Sequence, residues 1–405
     1  MILERNQQDS STEAALVDCS AGLRGILEGA LSGVEVSREE GLRLFEAEGA
    51  DHDAVLHVAD ELRRRTVGDD VSFVVTRNIN FTNVCYMGCR FCAFSRRRED
   101  REAEFLSLEE IAYRAQQAWD RGATEVCIQG GLHPKMKGDH YRKILLAVKQ
   151  QVPGMHIHAF SPFEIWYGAK LMKMSERDFI LDLQAHGLGS MPGTAAEILD
   201  VEVRQQLTRD KLSTDQWVSI IRAAHEVGMP TTCTMMYGHV DEPRHWAAHL
   251  DLLRGIQKTS RGFTEFVPLG FVHYDAPLYL DGLARPGPTQ RENLLVHAVA
   301  RIMLHGWIDN LQVSWVKMGP AGAQQMLSCG VNDLGGTLMN ESISRSAGSP
   351  HGQEITPSEM VRIIRTAGRR PVRRNTLYDV LEEFEDHEPQ AHSPLVTKAV
   401  PNLVR

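Results

Sequence analysis

The sequence predicts an α/β chain organised as a (βα)8, TIM-barrel-like unit preceded by a helical extension. Three observations carry that prediction. β-rich runs alternate with amphipathic segments over most of the chain, the runs number eight, and several end in small or turn residues, where barrels place their chemistry.

Residues 1–66 read as the helical lead-in. From Leu23 to about Arg65 apolar residues recur at three and four positions, as in Leu42, Phe45, Leu56, Ala59 and Leu62, and Ser37 with Glu40 forms a capping-box signature. The barrel is expected over 67–370, its runs beginning near Phe73, Glu125, His156, Leu188, Thr231, Thr264, Leu311 and Asn332. Helical stretches at 107–121, 140–151, 213–227, 241–258 and 289–305 separate them. Beyond about Gly368 the chain turns basic, then acidic and Pro-bearing, so 371–405 reads as a peripheral or mobile tail.

Composition narrows the function. The 405 residues are 42% hydrophobic and 24% charged, an ordinary globular balance, and a net charge of -9 argues against a nucleic-acid partner. No apolar run approaches the ~18 residues that span a bilayer, and the polar N-terminus does not resemble a signal peptide, so a soluble cytoplasmic protein without membrane attachment is expected. Seven cysteines are an odd number and do not fall at the spacings of a secreted disulfide framework. No G-x-x-x-x-G-K-[ST] string supports nucleoside triphosphate hydrolysis.

Cys85, Cys89 and Cys92 follow the first barrel run in the string NFTNVCYMGCRFCAF. Thr82, Asn83 and Gly88 favour a loop over a buried helical face, and a disulfide would leave one thiol over in a reducing compartment. A structural zinc site wants four ligands, and no further Cys or His stands nearby. Three thiolates suit a 4Fe-4S cube whose fourth iron stays open to a non-protein ligand.

The string Cys85-x-x-x-Cys89-x-Phe91-Cys92 resembles the signature of radical S-adenosylmethionine enzymes. The resemblance implies a 4Fe-4S cluster held by these cysteines, with the amino and carboxylate groups of S-adenosylmethionine on the open iron. It also implies one-electron cleavage to methionine and a 5′-deoxyadenosyl radical. A cluster doing this sits toward the negative end of the roughly −700 to +450 mV that protein clusters span. Phe91 is then expected to stack on adenine, against the alternative of plain core packing. Gly130-Gly131 match the two-glycine turn that admits the methionine amino group, although Leu132 stands where many relatives carry an acid.

Further strings, among them HAFSPFEI (158–165), GLGSMPGTAAEIL (187–199), TMMYGHVDEPRHW (234–246), FTEFVPLGFVH (263–273), ARPGPT (284–289) and NDLGGTLMNESISRSAG (332–348), resemble the CofH family. This family is the tyrosine 4-hydroxyphenyl transferase half of FO synthase, and the resemblance covers nearly all of 70–370. Radical enzymes of the futalosine route to menaquinone share the cluster and strings such as MMYGHV and form the alternative reading. FVPLGFVH and ARPGPT favour the deazaflavin branch.

The implied reaction joins the 4-hydroxybenzyl group of L-tyrosine to carbon 5 of 5-amino-6-(D-ribitylamino)uracil and releases 2-iminoacetate. It implies a reduced donor such as ferredoxin or flavodoxin and a separate ring-closing FO synthase subunit. Glu265, Tyr237, His239 and His273 are the candidates for gripping the substrates as catalytic residues. Ser161, Glu164 and Ser190 are candidates for S-adenosylmethionine, with helix N-capping the competing reading at Ser161. His156 and His158 share a strand face and read as a hydrogen-bonded interior pair more readily than as metal ligands. Cys127, Cys233 and Cys329 read as buried packing residues, and Arg96 to Arg98 as a solvated charged face or a patch for an electron carrier.

Overall fold

Parallel hydrogen bonding decides whether the strands close. The computed structural model describes residues 12–208, 210–385, 387–391 and 395. The first strand is broken at Val75 into β1 (Asp70–Val74) and β2 (Thr76–Asn80). β2 pairs with β3 (Glu125–Gln129), and β3 with β4 (His156–Ala159). Single bridges then link His158 to Ser190 and Met191 to Thr231, the first residue of β5 (Thr231–Tyr237). β5 pairs with β6 (Phe263–Gly270), bridges join Phe266 to Leu311 and Gln312 to Asp333, and β7 (Asp333–Gly336) pairs back onto β1. All these pairings are parallel, and the ring holds the eight expected positions. The fourth and seventh positions shrink to bridges. At the fourth, Pro192 follows at once and has no N–H to continue a ladder.

Helix starts follow their caps. Ser107, Ser213 and Thr289 accept the N–H of the residue three on, so the helices run Leu108–Trp119, Thr214–Glu226 and Gln290–Leu304. The stretch expected at 241–258 is Pro243–Ser260, with proline in the first turn, where its missing N–H costs nothing. Ser37 and Glu40 form the expected capping box. The lead-in helices Arg38–Phe45 and Ala50–Val67 lie against the outer helices of the barrel, and Ala21–Leu31 packs on those two. Gly41 makes one such approach possible, since a Cβ there would fall 2.4 Å from the Met303 sulfur. The buried Arg254 guanidinium closes the seam by donating to the carbonyls of Val36 at 2.6 Å and Met303 at 3.2 Å.

The expectation of a peripheral tail from 371 needs correction. β8 (Arg370–Arg374) runs parallel to β1 and carries β9 (Val380–Glu383) antiparallel on its other side. Phe384 is buried and stacks on Phe73 at 5.8 Å. Together these residues floor the barrel. The buried Arg374 guanidinium joins Asp333 at 2.6 Å and Glu265 at 3.4 Å, so this member of the basic run is an interior ion-pair partner, while Arg370 stays exposed. Residues 386, 392–394 and 396–405 of the expected tail lie outside the described residues. Among the described residues no helix is long and apolar enough to cross a membrane.

Candidate active site

The cysteine loop leaves β2 and is pinned by its own polar residues. Thr82 accepts the Val84 N–H at 3.1 Å and donates to the Glu104 carbonyl at 2.7 Å, while Asn83 accepts from Glu104 N and donates to the Glu102 carbonyl. Cys85 N donates to the Arg96 carbonyl at 3.1 Å, and Arg96 N returns a bond to Asn83 at 2.9 Å. The Arg96 guanidinium donates to the carbonyls of Ala93 and Ser95, so this member of the arginine run fixes the loop around Cys92. Arg97 and Arg98 are exposed.

The turn after β3 presses on that loop. A Cβ at Gly131 would fall 2.5 Å from the Val84 carbonyl and 2.9 Å from Cys85 Cβ, and one at Gly130 would fall 2.6 Å from the Phe81 ring. Bare glycine backbone is what lets Leu132 N–H point at Cys85 Sγ from 3.4 Å. Glu164 accepts the N–H of Gly130 at 3.0 Å, and accepts both the N–H and the hydroxyl of Ser161 at 2.8 and 2.7 Å. Ser161 is a helix N-cap whose capping box is completed by Glu164. Phe160 just before it has a positive φ of 62°, a strained turn that brings this cap to the barrel mouth. Burial pushes the Glu164 carboxyl up to about 7, against the pull of its three donors.

These elements surround a cavity of about 280 Å³ at the C-terminal mouth, lined by Cys85, Cys89, Cys92, Phe91, Gly130, Gly131, Ser161 and Glu164. No local sequence pattern marks the lysine that faces the thiols. Lys211 Nζ lies 2.5 Å from Glu197 and 4.9 Å from the centre of the Phe91 ring. Burial would lower its ammonium, yet Glu197 and the Cys89 sulfur hold it above its ordinary value. Positive φ at Ala195 (74°) and Glu197 (43°) turns that carboxylate inward. Burial raises all three thiols, and Lys211 opposes the rise at each. Among the described residues the lining offers three thiols and no fourth thiol or imidazole. Facing the Lys211 ammonium, that donor set fits a 4Fe-4S cluster with one iron left for a non-protein ligand.

The Radical SAM superfamily matches residues 79–253, and the CofH/MqnC C-terminal region matches 260–387. The 5-amino-6-(D-ribitylamino)uracil–L-tyrosine 4-hydroxyphenyl transferase of Methanopyrus kandleri is 52% identical over 85% of this chain and 94% of its own length. The chain belongs to the CofH family of radical SAM proteins. The FO synthase of Streptomyces coelicolor is 54% identical over 86% of this chain, which spans only 40% of that longer relative. The fold is that of methylornithine synthase (PylB; TM-score 0.68, 18% identity, 86% of this chain and 97% of that one). It is also that of the hydrogenase maturase HydG (TM-score 0.69, 14% identity, 91% of this chain and 79% of that one). The cofactors of the superfamily are a 4Fe-4S cluster and S-adenosylmethionine.

The CofH-family chain brings together part of the site expected from sequence. His273 lines a smaller recess beside the cavity with Tyr274 and His351, and Lys317 lines both. Three of the four expected catalytic side chains lie elsewhere. Tyr237 points out of the barrel, donating to Asn293 at 2.7 Å and meeting Trp246 edge-on, because odd positions of β5 face the helices. His239 is sealed against the Met236 carbonyl at 2.9 Å and Asp241 at 2.9 Å. Glu265 sits at the floor with Arg374 and Tyr378. Ser190 is not at the mouth either, being held lower in the barrel between His156 Nε2 at 2.8 Å and His158 Nδ1 at 2.7 Å. That bonding makes the two histidines the expected interior pair. Cys233 and Cys329 are buried as expected, whereas Cys127 is half-buried on the inner face of the barrel.

Proposed function

We propose that the chain transfers the 4-hydroxybenzyl group of L-tyrosine to 5-amino-6-(D-ribitylamino)uracil, the first half of deazaflavin assembly. The observation that carries this reading is the near full-length agreement with the Methanopyrus kandleri transferase, joined to three thiols at the barrel mouth. Cys85, Cys89 and Cys92 would hold the cluster, which with S-adenosylmethionine supplies a one-electron cleavage and a hydrogen-abstracting radical. Lys211 offsets the negative charge of a thiolate-bound cluster and stands where a carboxylate is gripped. Phe91 offers a ring to adenine, and Gly130 and Gly131 expose backbone at the cysteine loop. The Ser161 hydroxyl is engaged by Glu164, so it is the Glu164 carboxylate that remains as an acceptor for an ammonium or ribose hydroxyl. Phe163, Phe271, Val272 and Ile343 make the apolar wall that excludes water from a reactive fragment.

A reduced carrier such as ferredoxin or flavodoxin is the electron source, and the exposed Arg97 and Arg98 beside the loop give an acidic carrier a basic contact. The longer FO synthases support a separate ring-closing subunit as partner. A reducing cytoplasm suits a chain whose seven cysteines are all free thiols. Anaerobic reconstitution with S-adenosylmethionine, reductant and both substrates should yield 5′-deoxyadenosine and the hydroxybenzyl adduct in step, and Cys89→Ala should yield neither. Deoxyadenosine without adduct, or turnover of dehypoxanthine futalosine in its place, overturns the reading.

A further inference from the structure

The barrel interior beneath the cysteine cavity carries an unusual lining. Side chains alternate across each strand, and the outward set is fixed by its partners: Arg77 donates to the Arg114 carbonyl on an outer helix, and Val126, Ile128 and Cys233 are fully buried. The inward set is therefore Asn78 and Asn80 on β2, Cys127 and Gln129 on β3, and Thr232 and Thr234 on β5. Asn80, Gln129 and Thr234 line the cavity itself. One two-residue step down, about 6.6 Å, lie Asn78, Cys127 and Thr232.

Barrels ordinarily stack branched apolar side chains at this level. Here it is polar, and it is not sealed: Asn78, Cys127 and Gln312 stay half-buried although strands surround them. The side-chain amides of Asn78 and Gln312 have no hydrogen-bond partner among the described residues. Each holds two donors and an acceptor toward the lumen, an arrangement that costs free energy unless water or a ligand takes them. The hydrogen-bonded His158 and Ser190 flank the same space.

We infer that this lumen binds the polyol chain of the acceptor substrate, with Asn78 and Gln312 as its hydrogen-bonding residues. The inference rests on the transfer reading above and adds the placement of its two substrates. A hydroxybenzyl group needs apolar surroundings, which Phe163, Phe271 and Val272 provide at the mouth. A run of hydroxyls, each both donor and acceptor, needs amides and hydroxyls, which the lumen provides. With its chain directed down the barrel, the pyrimidine ring stays level with Asn80 and Gln129, next to the mouth.

The test is equilibrium dialysis on the anaerobically reconstituted holoenzyme without reductant, comparing 5-amino-6-(D-ribitylamino)uracil with 5,6-diaminouracil, which lacks the chain. Wild type should bind the ribityl compound at least about ten-fold more tightly. Asn78→Ala and Gln312→Ala should each remove about five- to ten-fold of that preference, the worth of one or two neutral hydrogen bonds. Binding of 5,6-diaminouracil and the KM for tyrosine should stay within about two-fold. The variants lie on different strands, so a folding failure in one leaves the other decisive, and Asn78→Ser should retain part of the preference. Equal wild-type affinity for the two compounds, or variants that weaken both alike, overturns the inference. Turnover is read separately: wild type that prefers the ribityl compound yet forms no adduct sinks the transfer reading and leaves the lumen site standing.

Discussion

Lys211 shows how one side chain sets the character of the mouth. It is almost wholly buried with Glu197, and Arg204 approaches the same carboxylate at 3.5 Å. Breaking such a pair leaves a charge uncompensated, so Lys211→Met should cost about 3 kcal/mol in chemical unfolding, with Lys211→Met/Glu197→Gln recovering most of it. Binding of S-adenosylmethionine to the reconstituted variant should also weaken by about ten-fold or more. Glu164 makes a prediction in pH. Its carboxyl is raised in the fold from 4.5 to about 7. Its contribution to stability is thus full below about 4.5 and is withdrawn as pH climbs to about 7. Melting of the cluster-free chain across that window should show a fall in wild type relative to Glu164→Gln, which has no such proton to lose. A parallel pair of profiles would contradict the assignment.

The turn after β3 and the cysteine loop act as one element. Gly131 has no room for a side chain, because the Val84 carbonyl and Cys85 Cβ already occupy the space. Gly131→Ala should push Cys85 out of register, halving iron and sulfide per chain or worse after reconstitution while far-UV circular dichroism is unchanged. The sequence shows the glycine pair and the cysteine spacing, but not that each constrains the other. Helix positions were legible because their caps are local: Ser107, Ser213 and Thr289 mark starts within a residue or two. The directions of the expected catalytic side chains were not, since Tyr237 and His239 share a strand end with the mouth yet turn away from it. A strand end places a residue at the right height. Alternation and packing against Trp246 and Phe271 then decide its direction.

The floor hairpin completes what the ring of strands begins. Arg374 links β8 to Asp333 on β7 and Glu265 on β6, and Tyr378 donates to Glu265. Arg374→Ala would strand two buried carboxylates, and a loss of about 3–5 kcal/mol is expected. Guanidinium titration should show it as a lower midpoint, and ending the chain at Gly368 should prevent cooperative unfolding altogether. An Arg374→Ala chain as stable as wild type would show that the floor is dispensable.

Periodicity, caps and cysteine spacing are properties of neighbours along the chain, and they sufficed for the eight-run barrel, its main helices and the three thiols. Opposing the thiols with Lys211, folding the charged end beneath the barrel and opening a polar lumen all depend on residues far apart in sequence. Their burial and ion pairing arise only when distant strands are brought side by side, and no local pattern records that encounter.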